Sequence, residues 1–136
     1  MSASPLARIQ PKVALLSGAP NDASLEVLLA PFVLGDQLVD TSIRLDHFEL
    51  PSLQLGELVG KTFTFPSNPA QGYIDGSIYL ANAHHPVDVT TLSFHLGRDG
   101  GASVVLKGQI DLENEGDKAW GKLPFAFGVR IGSCAV

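Results

Sequence analysis

At 136 residues the chain has the length of one domain, and 45% hydrophobic against only 17% charged residues excludes a disordered composition. Its formal net charge is −5, and its nine Lys and Arg are scattered singly. That excludes the basic face which nucleic acid or an anionic membrane surface requires.

In chain order, residues 6–16 read as a first strand, and Pro11 places it at a sheet edge because proline cannot donate to a ladder. Residues 24–32 admit two readings. Leu25, Leu28, Leu29 and Phe32 fit helical spacing behind an Asn21-Asp22 cap, but Pro31 would limit such a helix to two turns, and a strand is preferred. In residues 39–50, Val39, Ile43 and Leu45 share one parity while Phe48 and Leu50 take the other. Such a slip marks a β-bulge. Residues 51–59 read as a loop with one helical turn, followed by strands at 62–65 and 72–81.

The clearest pattern is a hairpin over residues 87–113. Val104, Leu106, Gly108, Ile110 and Leu112 alternate strictly with Lys107, Gln109, Asp111 and Glu113, and the turn Gly97-Arg98-Asp99-Gly100-Gly101 precedes them. In the first arm Val87 and Val89 share one face, whereas Leu92, Phe94 and Leu96 share the other. Either a second bulge lies at Thr90-Thr91 or this strand is buried on both faces. The last strand, 123–131, puts Leu123, Phe125, Phe127, Val129 and Ile131 on one face. Short connections rich in Gly, Pro and Asn separate these segments. The chain is expected to be one all-β domain over residues 1–136, an antiparallel β-sandwich or partly open barrel of about seven or eight strands.

Chemistry-bearing motifs are few. Gly56-Glu-Leu-Val-Gly60-Lys61-Thr62 has three residues between its glycines where a phosphate loop needs four, and a strand follows it instead of a helix. His84-His85-Pro86-Val87-Asp88 could supply metal ligands or a base with its orienting acid, although adjacent residues of an extended chain point to opposite sides. His85 with Asp88, or either histidine with His47 or His95, is the sterically sensible pairing. His47 shares a face with Glu49, and His95 is expected to face solvent between the core residues Phe94 and Leu96. Asp111-Leu-Glu-Asn-Glu-Gly-Asp117 is oxygen-rich enough to suggest calcium, without EF-hand spacing. No nucleophile elbow is present, and the single Cys134 lies near the end of the chain.

Two surfaces suggest recognition. Tyr73, Asp75, Ser77 and Tyr79 share one face of their strand, and Trp120 stands in a charged, Gly-flanked turn. The expected function is a non-enzymatic binding module of the accessory or inhibitor type, acting through a sheet face or end loops. Its partner would be another protein or its own copy, not nucleic acid or a membrane. Tyr73, Asp75, Tyr79, His84, His85, Asp88 and Trp120 are the candidate contact residues. No catalytic set, metal or cofactor is assigned. The alternative is a small-ligand barrel with hydrolase or isomerase chemistry at His84, His85 and Asp88, and a weaker one is calcium-dependent binding. One cysteine and no apolar leader-like segment point to the cytoplasm.

Overall fold

The computed structural model of the protein describes residues 9–34, 36–67, 70–80, 83–97, 100–111 and 122–132. The strands are β1 (Pro11–Ala19), β2 (Asp22–Leu29), β3 (Phe32–Leu34), β4 (Gln37–Val39), β5 (Ser42–Phe48), β6 (Thr62–Thr64), β7 (Asp75–Leu80), β8 (Ala83–Leu96), β9 (Ala102–Asp111) and β10 (Lys122–Arg130). One short helix, α1 (Leu55–Leu58), lies between β5 and β6.

Seven strands form a curled antiparallel sheet in the order β1-β2-β5-β7-β8-β9-β10, a half-barrel, with β6 paired to β8 off this path. The sheet curls far enough for its two ends to touch. Ala14 of β1 bridges Ile131 just beyond β10, and the Gly132 N–H donates to the Ala14 carbonyl at 2.8 Å. Pro11 is thus on an end strand. β3 and β4 pair only with each other, as a small second sheet. Among the described residues no helix is long and apolar enough to cross a membrane.

Alternation positions the core. In β2, Ala23, Leu25, Val27 and Leu29 are buried while Ser24, Glu26 and Leu28 are half-exposed, so the segment with two readings is a strand. Ile43, Leu45, Ile78, Leu80, Val87, Val89, Leu92, Phe94, Val104, Leu106 and Ile110 fill the interior from the neighbouring strands. Each such side chain contributes roughly 1.5–3 kcal/mol relative to exposure.

Both slips prove to be bulges. The β2–β5 register shifts between Ala23 and Leu25, so Asp46 and His47 oppose Ser24 alone, and His47 takes a left-handed φ of 56°. The β8–β9 register shifts between Val89 and Thr91, leaving Thr90 as the extra residue. Burial changes parity there, from Val87 and Val89 to Leu92 and Phe94.

Three expectations need correction. The strand expected over 39–50 is interrupted at Asp40-Thr41, because Val39 belongs to the β3–β4 hairpin. Leu96 is 68% exposed rather than buried, although it pairs with Ala102 at the end of the β8–β9 ladder. On β10 the apolar face is only partly covered. Phe125 and Val129 are buried, whereas Leu123 and Phe127 are half-exposed on this end strand, with the rings of Phe125 and Phe127 stacked at 4.8 Å.

Two glycines permit the curl through close approach. A Cβ on Gly108 would overlap the Asp88 carbonyl oxygen and come within 2.8 Å of the Val89 Cα, and one on Gly76 would overlap the Val87 carbonyl. Backbone cannot swing aside as a side chain can. Gly108→Ala is therefore expected to lower unfolding free energy by about 2 kcal/mol or more in urea titrations. Gly128→Ala on β10, whose Cβ would meet only the Val105 methyl at 3.9 Å, should change it by less than about 1 kcal/mol.

Candidate functional site

Strand parity sorts the candidate residues before any distance is needed. On β8, His84 is exposed, His85 is fully buried, Pro86 and Asp88 are half-exposed, and Val87 is buried. His84 and Asp88 therefore belong to the outer face and His85 to the interior. The expected pairing of His85 with Asp88 falls on opposite faces of one strand, because alternation continues unbroken from 84 to 89. Inside, the His85 Nδ1–H donates to the Asp111 carbonyl at 3.1 Å, which ties the start of β8 to the end of β9. Asp88 instead lines a shallow groove of about 240 Å³ with Pro86, Gln109, Asp111 and Lys122.

His84 has a different companion. It stands directly opposite Tyr79 across the β7–β8 ladder, and the two rings meet edge to face at 5.3 Å and 86°. Such aromatic pairs contribute about 0.5–1.5 kcal/mol beyond area burial and hold each other's orientation. Tyr79 remains 55% exposed, so the pair presents a fixed ring to solvent. Beside it lies an open groove of about 440 Å³ on the outer face of β5 and β7, lined by Leu28, Asp40, Ser42, Arg44, Ser77 and Tyr79, among others. Arg44 is directly opposite Ser77, and its guanidinium is 4.0 Å from Asp46, a solvent-screened contact of little energy. Arg44 escaped the sequence reading; its outward parity between the buried Ile43 and Leu45 is the signal that could have found it.

Asp75 lies on the same outward face at the other end of β7, whereas Tyr73 precedes that strand, its N–H donating to the Ala70 carbonyl at 3.1 Å. Asp75 is directly opposite Asp46, next to the bulge that carries His47. There the His47 Nδ1–H donates to Asp22 Oδ1 at 3.0 Å, so the partner of His47 is a residue of β2 and not Glu49. This contact pins the β1–β2 turn to the bulge, helped by the Asn21 N–H donating to the Leu50 carbonyl at 2.8 Å. His95 is exposed, as expected.

The near-miss phosphate loop has no helix to follow it: α1 precedes Gly60 and the strand β6 comes after. Trp120, Cys134 and residues 112–117 of the acidic stretch lie outside the described residues. Among the described residues no group of three or more His, Cys, Asp or Glu side chains could hold a metal ion. No protein-family model matches the chain, and neither does any curated protein or solved structure.

The Asp22 carboxylate, through its hydrogen bond and then its charge, raises the His47 pKa above 6.5, with smaller contributions from Asp46 and Asp75. A raised folded-state pKa means that the contact's stabilisation is fully present below pH 6.5 and is lost as pH rises through the folded value. An NMR titration should place the His47 midpoint above 6.5. Asp22→Asn should bring it back toward 6.5, and an unchanged midpoint in that variant would remove Asp22 as the cause.

Proposed function

We propose that this protein is a non-enzymatic binding module that recognises a protein partner through the outer face of β5, β7 and the start of β8. The observation that carries this reading is the Tyr79–His84 pair, a 55% exposed ring held edge-on by its neighbour beside a groove that also contains Arg44. Tyr and Arg are the side chains on which interface energy concentrates, and a ring already oriented loses little freedom on binding.

Several features favour this reading over catalysis. His84 faces outward and His85 inward, so the two imidazoles cannot work on one substrate. The interior around His85 is filled by Ile78, Leu80, Val87 and Ile110, which leaves the outer face as the place where polar groups and open space coincide. A scaffold of this kind suits an accessory or inhibitor role, in which a rigid sheet presents a few anchors. We place the protein in the cytoplasm, on its low cysteine content.

A photoreactive phenylalanine analogue at position 79 tests the proposal in cells of the native host. It should yield a discrete protein adduct that Arg44→Glu removes, while the same probe at the outward Lys107 of β9 gives none. Tyr79→Ala should weaken the captured complex about tenfold or more. Equal adducts from positions 79 and 107, or an adduct indifferent to Arg44→Glu, would overturn it.

A further inference from the structure

Exposed large apolar side chains are few among the described residues, and apart from Tyr79 they gather in two places. Val33 and Leu38 are 47% and 72% exposed and stand directly opposite each other on the β3–β4 hairpin, next to the buried pair Phe32 and Val39. The hairpin is thus anchored by one face and offers an apolar face on a convex tip. Leu96, at 68% exposure, lines an apolar groove of about 550 Å³ with Leu55, Val59, Ala102, Arg130 and Ile131.

These two features lie at opposite ends of the half-barrel. Successive neighbours β2, β5, β7 and β8 are all antiparallel, so β2 and β8 run in opposite directions. The hairpin continues from the C-terminal end of β2, and Leu96 closes the C-terminal end of β8. A convex apolar tip at one end and a concave apolar groove at the other make a heterologous contact, in which each added copy leaves one tip and one groove free. Charge agrees with this fit. The charged residues flanking the tip are Asp36 and Asp40, both exposed, whereas the charged residue lining the groove is the exposed Arg130.

We infer that the β3–β4 hairpin of one copy docks into the Leu96 groove of the next, so that the protein assembles head to tail. This contact adjoins the Tyr79 groove, which Asp40 also lines, but does not use Tyr79 itself. It is small beside a standard interface, so association is weak and grows with concentration without stopping at a dimer.

Sedimentation equilibrium on the full chain, up to about 1 mM, the range of a weak complex, tests the inference. The weight-average mass of the wild type should rise continuously with concentration. Leu38→Asp removes the tip and Leu96→Asp the groove; each alone should remain monomeric, and both positions are exposed enough for the fold to tolerate the change. Mixed in equal amounts, the two variants should form a one-to-one dimer, since one intact groove meets one intact tip. Tyr79→Ala should assemble like the wild type. A wild type that stays monomeric at about 1 mM, or variants whose mixture stays monomeric while the wild type associates, would overturn it.

Discussion

Most of this molecule is organised by one strand that has to change its partner along one of its edges. β8 pairs with β9 along one side from Val87 to Leu96, but on the other side it pairs with β7 as far as Val87 and with β6 from Thr91 to Ser93. A regular strand could not turn its inward face from one set of neighbours to the other. Thr90 supplies the extra residue that lets it bend, and Val87, Val89, Leu92 and Phe94 all reach the same core despite their mismatched parity. Gly108 and Gly76 flank the bend where the backbones come closest. The curl of the half-barrel and the touching of its ends at Ala14 and Ile131 depend on this arrangement.

That constraint also explains why the two histidines divide between inside and outside. Upstream of the bulge the strand alternates without interruption, so His84 and His85 are committed to opposite faces. His85 contributes to the core through its bond to the Asp111 carbonyl, and His84 contributes to the surface by steadying Tyr79. The bulge on β5 has a parallel effect. It turns His47 outward beside Asp22, and Phe48 returns to the core to meet Phe65 edge-on at 5.9 Å.

Much of the fold was legible in the sequence because sheet burial has a period of two, and departures from it are visible. The parity slips at 45–48 and 89–92 pointed to both bulge positions before any coordinates, and the alternation of β9 and the turn at 97–101 defined the hairpin. The outward placement of Tyr79 was legible for the same reason, but that of His84 was not, because the strand expected from Val87 begins at Ala83. Their pairing was not, because register between β7 and β8 depends on the connection between them and not on either strand's pattern. The Asp22–His47 contact was hidden similarly, since residues 25 apart in sequence meet only once β2 and β5 are in register. The β3–β4 hairpin was missed because its strands are only three residues long, too short for alternation to register, and Val39 happened to share parity with Ile43 and Leu45. Leu96 looked like core because parity says which way a side chain points and not whether anything covers it.

The claim that β8 unites the structure has a direct test in native-state hydrogen exchange under increasing denaturant. If one bent strand holds both sets of neighbours, the slowest amides of Val87, Val89, Leu92 and Phe94 should exchange through a single opening, with the same free energy and denaturant dependence as those of β9. Leu92 and Phe94 exchanging through a separate, less costly opening while Val87 and Val89 stay protected would contradict it, and would make the segment past Thr90 an independent unit.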